Sequence, residues 1–358
     1  MDPRLQPLLG TVPAWLEEGG PEGDVVVASR VRLARNLAGT PFPAQMQIGP
    51  ASDLVRRVAE ALPEILPGAA QLDPAALAAA DGEFLVERSL ASHDLLHAGR
   101  ATLIGFEPRG RYGLMVNEED HFRIQAFAPG LDLGAAARRA QWLERRLRAR
   151  FPFATHERYG FLTSCPTNTG TGLRASLLMH LPALSRAKAP MHRALQTARG
   201  TYLAVRGVHG EGSRALGRLF QISNQRTLGT SSAAQIQAVT EFGKEVAKYE
   251  RKTREQFQSD AAARTELLAD VAKAHARLSE APTLTTAEAL EALSTLRLAA
   301  LAGLAEATGH SYDARALLQQ MFQLQPGHLQ ARLGREMPPG DRDRTRAELL
   351  RSALDLAA

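Results

Sequence analysis

The segment "DVVVASRVRL" at residues 24–33 joins a run of β-branched residues to two arginines that stand two positions apart. β-branched residues are typical of strands. Because side chains alternate between the two faces of a strand, Arg30 and Arg32 are expected to project from the same face. The segment therefore predicts a strand that presents two guanidinium groups side by side.

Four more segments have the composition of strands, and the first three follow one another closely enough to form an antiparallel sheet. In the third, Phe122, Ile124 and Ala126 alternate with Arg123, Gln125 and Phe127, which is typical of a sheet with one apolar face. The predicted strands cover residues 101–106, 112–117, 122–127 and 201–208.

Helices are predicted around Trp15, through most of 51–100 and at about 134–150. After residue 230 glycine becomes sparse and the pattern turns helical, with possible caps at Ser231 and Ser232 opening a helix expected to continue towards Leu278. A capping box at Thr285 and Glu288 opens another helix, and further helices are predicted near 313–323 and 342–356. We divide the chain into a lead segment (1–23), an α+β domain (24–254) and a helical domain (255–358).

The composition excludes several classes of protein. No window of about 18 apolar residues is present, and the N-terminus lacks the pattern of a secretory signal. The single cysteine forms no internal disulfide and belongs to no Cys/His spacing typical of zinc, so we expect a cytoplasmic protein without a membrane partner. The net charge is +5, but aromatic residues make up only 5% and do not interleave with basic ones, which disfavours a nucleic-acid binder.

The common nucleotide-binding motifs are missing or weak. The pattern G-x-x-x-x-G-K-[ST] does not occur. Residues 210–215 match G-x-G-x-x-A after a predicted strand, but no acidic residue follows at the distance that ribose binding requires. A P-loop is therefore excluded and a dinucleotide-binding fold is disfavoured.

Arginines and acids stand at the faces and ends of the predicted strands. Arg123 points away from the apolar side of its strand, Arg174 ends a glycine-rich loop and Arg206 ends the last strand. With Arg30 and Arg32 they are either five unrelated surface residues or, if they converge, a clamp for a polyphosphate.

The acidic residues also allow two interpretations. The connection "NEEDH" (117–121) contains three adjacent acids, Glu118, Glu119 and Asp120. It is either a solvated turn or a site that binds a cation. Glu211 lies in the loop "RGVHGEGS" (206–213), whose glycines suggest a lid. The lone cysteine, Cys165, opens the stretch "CPTNTGTGLRAS" (165–176).

Four segments together, "SRVRLARNL" (29–37), "NEEDHFRIQ" (117–125), "CPTNTGTGLRAS" (165–176) and "RGVHGEGS…FQISNQ" (206–225), resemble the phosphagen (guanidino) kinase family. Within that family the chain is similar to the bacterial protein-arginine kinases. The segment before the first motif is short, and "RDRTRA" (342–347) resembles the phosphoarginine-sensing motif of that branch.

The resemblance implies an α+β catalytic fold, an antiparallel sheet flanked by helices, with an all-helical C-terminal domain. It implies that Glu119 and Glu211 grip the substrate guanidinium, that Cys165 is the reactive cysteine, and that ATP brings Mg²⁺ without metal ligands from the protein. Ser89 stands where the family has a nucleotide-contacting histidine, so either His93 replaces that histidine or the contact is lost. The implied nucleotide-contacting positions are Ser29, Arg30, Val31, Arg32, Leu33, Arg123, Arg174, Ala175, Ser176, Leu177, Leu178, Arg206, Gly207, Val208, His209, Gly210 and Glu211.

The C-terminal motif is either a phosphoarginine pocket or a solvated charged helix face. As a pocket, Asp343 would pair with the guanidinium while Arg342 and Arg346 take the phosphate. The motif residues are Arg342, Asp343, Arg344, Thr345, Arg346 and Ala347.

The predicted function is ATP-dependent phosphorylation of arginine residues in proteins, which marks them for Clp-type proteolysis in a stress response. The resemblance also implies an activator protein, a Clp-type chaperone-protease partner and a homodimer. Two alternatives stay open: a kinase for free arginine or another small guanidine, and a non-catalytic adaptor that binds phosphoarginine.

Overall fold

The structure is a computed structural model that describes residues 1–17, 19–208 and 215–355. The described residues form one large sheet, a short separate hairpin and helices around them. The strands are β1 (Val26–Arg35), β2 (Ala70–Leu72), β3 (Leu103–Phe106), β4 (Tyr112–Val116), β5 (Phe122–Pro129), β6 (Thr155–His156), β7 (Gly160–Phe161), β8 (Leu173–His180), β9 (Leu203–Gly207) and β10 (Leu219–Asn224).

The large sheet runs in the order β2-β3-β4-β5-β1-β8-β10-β9, and every neighbouring pair is antiparallel. The sequence-based prediction of an antiparallel α+β fold is therefore confirmed. The segment 24–33 becomes a central strand, because β1 pairs with β5 on one side and β8 on the other. β8 and β10 were not predicted as strands, and β6 pairs with β7 as a hairpin outside the sheet.

The helices divide into those that flank the sheet and those that follow it. The first group is α1 (Ala14–Glu17), α2 (Ile48–Ile65), α3 (Ala79–Glu87), α4 (His93–Leu96), α5 (Leu133–Arg148), α6 (Pro182–Arg186), α7 (Lys188–Gly200) and α8 (Ser232–Ser259). The second group is α9 (Ala261–Glu280), α10 (Thr286–Leu301), α11 (Ala314–Gln323), α12 (Pro326–Leu333) and α13 (Pro339–Asp355).

One face of the sheet is apolar and packs against α2, α5 and α8. Val31 and Leu33 of β1 enter this core together with the predicted stripe of α5, which includes Ala140 and Leu143. α5 begins at Asp132, whose side chain accepts a hydrogen bond from Ala135 N at 2.8 Å. The helices thus cover the apolar face of the sheet, and polar side chains lie on the opposite face.

The second face is covered only in part. At the β2-β3-β4 end it packs against α3 and α4, with Phe84 and Leu95 in a small core. Near the start of β1, Trp15 stacks on Phe127 of β5 and meets Phe322 of α11 edge-on, with ring centres 6.0 and 5.5 Å apart. The lead segment and the C-terminal helices thus close one end of this face and leave a cavity between the two cores.

The predicted long helix after Ser231 does not reach Leu278. It ends at Ser259, and Asp260 caps a new helix, α9, by accepting hydrogen bonds from Ala262 N and Ala263 N at 2.9 and 3.2 Å. Asp favours such caps over helix interiors, which explains the break. The capping box at Thr285 is present as predicted.

The division of the chain near residue 254 stays a prediction, since α8 runs through that position. Among the described residues, no helix combines the length and apolar character that crossing a bilayer requires.

Candidate active site

Four of the five predicted phosphate-binding arginines share one face of the sheet. Arg30 and Arg32 alternate with core residues along β1, and Arg32 lies directly opposite Arg174 on β8. Arg123 on β5 lies opposite Ala34, two residues beyond Arg32. Directly opposed residues in a sheet point to the same side, so the four guanidinium groups leave from the same face.

Arg206 extends this set to the edge of the sheet. It lies opposite Gln221 on β10, Gln221 lies opposite Leu178 on β8, and Leu178 lies opposite Ala28 on β1. Ala28 precedes Arg30 by two positions, so all five arginines lie on one surface, here called the arginine face. Arg174 is the second residue of β8 rather than the end of a loop, which corrects its predicted setting.

The charges of the arginine face are poorly compensated. Burial lowers the pKa of Arg30 to about 10, and repulsion by Arg123 and Arg174 adds to this effect. The pKa of Arg32 is lowered well below its ordinary value by burial and by its arginine neighbours. Burial lowers the pKa of Arg174, helped by Arg206 and Arg123. The guanidinium groups therefore repel one another, and a bound anion would offset this repulsion.

The protein supplies few counter-charges here. Arg123 pairs with Glu118, and its Nη2 lies 3.7 Å from Glu119 Oε2. Within 1–17, 19–208 and 215–355, none of Arg30, Arg32 and Arg206 forms an ion pair. The excess charge makes the arginine face a candidate site for a highly charged anion such as a triphosphate.

Two cavities open onto the arginine face. One, of about 410 Å³, is lined by Arg30, Arg32, Arg123, Ser89 and His93, among others. His93 therefore lies in the same cavity as three of the arginines, although its Nδ1 is also 3.6 Å from Glu83 Oε1.

The second cavity, of about 200 Å³, shares Arg30 and Ser89 with the first. Leu178, Val208 and Phe127 give it an apolar lining, and Ser176 also borders it. Of the predicted nucleotide-contacting residues, Ser176, Leu178 and Val208 thus lie beside the arginines, and Gly207 ends β9 nearby.

Other predicted nucleotide-contacting residues point away from the arginine face. The side chains of Val31, Leu33, Ala175 and Leu177 lie in the core beneath the sheet. Ser29 is buried, donates to Gly130 O at 2.8 Å and accepts from Asp132 N at 2.9 Å. The prediction treated these stretches as whole segments, and the alternation of the strands shows that only every second side chain is available.

The three acids of the β4–β5 connection have separate positions. Glu118 is buried and pairs with Arg123, and its carboxylate also contacts Ser92. Asp120 is buried, and its Oδ1 accepts hydrogen bonds from Asn36 Nδ2 at 2.6 Å and Ser164 N at 2.7 Å. Glu119 alone among the three remains exposed, which makes it the carboxylate available to a substrate.

The environment of Glu119 raises the pKa of its carboxyl group above the ordinary glutamate value. Partial burial raises its pKa, and repulsion by Asp120 and Glu118 raises it further against the opposing effect of Arg123. Its carboxylate has only long contacts in this part of the structure, 3.5 Å to Asn168 Nδ2 and 3.7 Å to Arg123 Nη2. A carboxylate with a raised pKa and spare acceptor capacity is suited to accept a proton.

The cysteine loop, residues 164–172, lies against the acidic connection. Ser164 Oγ donates to Glu119 O at 2.6 Å, which places the next residue, Cys165, beside Glu119. Cys165 is half-buried, and its Sγ lies 2.9 Å from Thr167 Oγ1. The cysteine loop thus lies beside Glu119, and the roles of Cys165 and Glu119 stay predictions.

Glycine is required where the cysteine loop touches other backbone. Gly170 has a φ of +113°, and a Cβ there would lie 2.3 Å from Thr227 O. Gly172 has a φ of +57°, and a Cβ there would lie 2.4 Å from Arg35 Nη1. These glycines allow the loop to pack within the protein.

Some predicted site residues fall beyond the described ranges. His209, Gly210 and Glu211 lie outside the described residues, so the second carboxylate and the lid stay predictions. Among the described residues, no group of three or more His, Cys, Asp or Glu side chains is arranged to hold a metal ion.

The C-terminal motif lies on α13, in the helical region. Arg346 is fully buried and donates to Leu324 O at 2.9 Å, Leu284 O at 2.6 Å and Asp343 Oδ1 at 2.7 Å. Burial lowers its pKa and Asp343 opposes that shift. Arg342, one turn earlier, is half-buried, Arg344 is exposed and paired with Asp341, and Thr345 and Ala347 complete the motif. Arg346 holds elements of the helical region together, a role that sequence reasoning missed.

Comparison with known proteins gives the class of the fold. The family model described as "ATP:guanido phosphotransferase, C-terminal catalytic domain" matches residues 60–253. The crystal structure of lombricine kinase is 21% identical, covers 67% of this chain and 71% of that chain, and has a TM-score of 0.55. The duplicated taurocyamine kinase from Schistosoma mansoni is 21% identical over 77% of this chain and 40% of that chain, with a TM-score of 0.59. The fold is that of the guanidino phosphotransferases.

A second family model and the sequence relatives identify the branch of this family. The family model "Protein-arginine kinase McsB C-terminal domain" matches residues 264–358. The protein-arginine kinase of Moorella thermoacetica is 39% identical, covering 95% of this chain and 97% of the relative. The protein-arginine kinase of Symbiobacterium thermophilum is 37% identical, covering 95% and 96%. The chain belongs to the protein-arginine kinase family of ATP:guanido phosphotransferases.

Proposed function

We propose that this chain transfers the γ-phosphoryl group of ATP to the guanidinium group of arginine residues in proteins. The observation that carries the proposal is the arginine face, whose excess positive charge lies beside an exposed carboxylate with a raised pKa, Glu119. The names of the relatives and the match of the C-terminal domain model support a protein substrate.

The nucleotide would bind with its phosphates on the arginine face. Arg30, Arg32, Arg123, Arg174 and Arg206 offer forked donors that suit phosphate oxygens. The apolar cavity of about 200 Å³ next to Arg30 is the natural place for the base. Magnesium would arrive with ATP as part of the substrate and offset the charge of the phosphates.

The carboxylates would prepare the acceptor. A guanidinium is a poor nucleophile while protonated, since its pKa is above about 12. Glu119, with Glu211 as the predicted second carboxylate, would orient the planar group and take one of its protons. The nitrogen then forms a bond to the γ-phosphorus, the bond from that phosphorus to the β–γ bridging oxygen breaks, and ADP leaves. Cys165 would line the acceptor side with a soft, polarisable group.

The regulatory roles belong to the C-terminal helices. We propose that Arg342 and Asp343 form the accessible part of a phosphoarginine-sensing pocket on α13, with Arg346 as its structural support. The chain would act in the cytoplasm as a homodimer, with an activator protein and a Clp-type chaperone-protease as partners in a stress response. The match of the C-terminal domain model supports this region as the distinctive part of the family branch.

The proposal is tested by incubating the full chain with ATP, magnesium and a chemically unfolded protein. The expected product is acid-labile phosphate on arginine residues, identified by mass spectrometry under neutral conditions. A parallel reaction offers free arginine. Phosphorylation of free arginine alone would replace the proposal by a small-guanidine kinase, and binding of phosphoarginine without any turnover would replace it by an adaptor.

A further inference from the structure

Exposed aromatic and apolar side chains lie around the cysteine loop and the segment that follows β10. Tyr159 is 41% exposed, Tyr202 61% and Leu228 46%. Large apolar groups of this kind are costly to leave in water, and clusters of them mark interaction surfaces. These three residues are here called the rim.

The β6–β7 hairpin holds Tyr159 on one side of the cysteine loop. Phe161 N donates to Gly170 O at 2.8 Å, and Gly170 N donates back to Phe161 O at 3.1 Å. A Cβ on Gly160 would lie 2.6 Å from Gly170 O, so hairpin and loop are in direct backbone contact. Tyr159 at the hairpin tip is therefore fixed relative to the loop that carries Cys165.

The segment after β10 holds Leu228 on the other side. Thr227 Oγ1 donates to Thr167 O at 2.7 Å and to Thr169 O at 2.8 Å. The hydroxyl of the same Thr167 lies 2.9 Å from Cys165 Sγ. Leu228 follows directly, and a Cβ on Gly170 would lie 3.0 Å from its Cα, so Leu228 borders the cysteine loop.

Both tyrosines of the rim carry an arginine on their ring. The Arg158 guanidinium carbon is 5.5 Å from the centre of the Tyr159 ring, and that of Arg226 is 5.5 Å from the centre of the Tyr202 ring. Tyrosine and arginine are the residue types that dominate binding hot spots, because both combine an apolar plane with hydrogen-bonding groups. Stacking limits their freedom before any partner binds, which lowers the entropic cost of binding.

We propose that the rim binds the polypeptide chain on either side of the acceptor arginine, as an extended, unfolded segment. The inference rests on the proposed function and adds the surface that selects a protein over a small guanidine. An arginine whose guanidinium lies at Glu119 carries backbone in both directions, and the cysteine loop, which contacts Glu119 through Ser164 and Asn168, lies next to that backbone with its neighbouring segments. The hairpin tip and the 226–228 segment are those neighbours, and they offer apolar and aromatic contacts that a free amino acid would not reach.

The test is a double variant, Tyr159→Ser with Leu228→Ser, in the full chain. The KM for an unfolded protein substrate should rise roughly tenfold, as expected for loss of aromatic and apolar anchors at an interface. The kinetic constants for N-acetyl-arginine amide, which has no flanking chain, should stay at the parent values. Binding of a fluorescent extended peptide with a central arginine, followed by anisotropy, should weaken by a similar factor.

The matched control is Tyr249→Ser with Leu333→Ser. These two residues have similar exposure, 51% and 42%, but lie on α8 and α12, away from the cysteine loop. The control should leave both the KM for the protein and the affinity for the peptide unchanged. Thermal melting of both double variants should match the parent, because exposed substitutions rarely alter stability by more than about 0.5 kcal/mol.

The outcomes separate this inference from the proposed function. Suppose that the parent phosphorylates protein arginines and the rim variant keeps the parent KM and peptide affinity. The proposed role of the rim in substrate binding is then refuted, while the proposed function stands. If the parent phosphorylates no arginine but the rim variant loses peptide affinity, the function fails and the rim stands. An equal loss in rim and control variants would also overturn the rim.

Discussion

Two sets of arginines in this protein, one buried and one half-buried on the sheet, differ in what their guanidinium groups contact. Arg346 in the helical region donates to two backbone carbonyl oxygens and to Asp343. Arg297 likewise donates to Ala314 O and Asp24 O, each at 3.0 Å. These arginines replace the water they lost with acceptors of the protein, so they hold the fold together.

The arginine face shows the opposite condition. Arg30 and Arg32 have no carboxylate partner among the described residues, and their strongest electrostatic neighbours are other arginines. Partial desolvation of a cation without a counter-charge is unfavourable, and a fold retains it where a ligand completes the site. The comparison therefore separates structural arginines from ligand-binding arginines by their acceptors, and the following predictions test that separation.

The largest expected effect is on stability at a satisfied arginine. Arg346→Met should lower the free energy of unfolding by about 3 kcal/mol, because two buried carbonyl oxygens and Asp343 lose their donor. Urea unfolding measures this change, and ATP affinity should remain that of the parent. Arg344→Met, an exposed neighbour on the same helix, serves as the control and should alter stability little. Parent stability in Arg346→Met would remove the structural role assigned here. For the same reason, Arg342 is the better position at which to test phosphoarginine sensing.

Glu119→Gln tests the carboxylate beside the arginine face. The rate of phosphoryl transfer should fall by at least about a hundredfold, since the amide cannot accept the guanidinium proton. ATP affinity, measured by calorimetry, should be kept, and Glu64→Gln on the surface of α2 should behave as the parent. A near-normal rate in Glu119→Gln would refute the catalytic assignment.

Substitution of an arginine without protein acceptors should affect ATP binding rather than stability, the opposite of what is expected for Arg346. Arg32→Met should weaken ATP binding by roughly tenfold or more, because one forked phosphate contact is lost. The unfolding free energy without nucleotide should stay the same or rise, since a repelling charge leaves the cluster. Calorimetry and urea unfolding of the same sample provide both values. Loss of stability with unchanged ATP affinity would place Arg32 in the structural set.

The smallest expected effect concerns pH. Glu119 must be ionised to accept a proton, so activity should rise with pH through its pKa, and the raised pKa places that rise above the ordinary glutamate value of 4.5. Asp94 contributes to the shift by repulsion, so Asp94→Asn should move the acidic limb of the kcat/KM profile to lower pH. A limb that moves upward or stays fixed in Asp94→Asn would contradict this account of the pKa.

Local patterns predicted much of the catalytic region. The alternation around Arg30 and Arg123 is a property of the strand itself, so the face on which these side chains lie could be predicted without knowing the neighbours. The capping box at Thr285 is equally local and was also found. Strand pairing is not local, so the sequence alone left open whether Arg174 and Arg206 join the same face.

Other features depended on contacts that sequence patterns do not contain. α12 was missed because "QPGHL" reads as a turn, whereas Glu87 on α3 caps it by accepting from Gly327 N at 2.7 Å and His328 N at 2.8 Å. β8 was missed because the stretch directly before it, residues 167–172, is rich in glycine and threonine, and pairing with β1 and β10 supplies its stability. Arg346 is buried against backbone acceptors outside α13, Leu284 O and Leu324 O. The sequence of its own motif does not indicate these contacts.

The central claim is that the arginine face binds the phosphates of ATP. The most direct measurement is a crystal structure of the full chain with ADP, magnesium and an arginine-containing peptide. The account predicts phosphate oxygens within hydrogen-bond distance of Arg30, Arg32, Arg123, Arg174 and Arg206, with the peptide guanidinium at Glu119. A nucleotide bound elsewhere, with the five arginines free of phosphate, would contradict it.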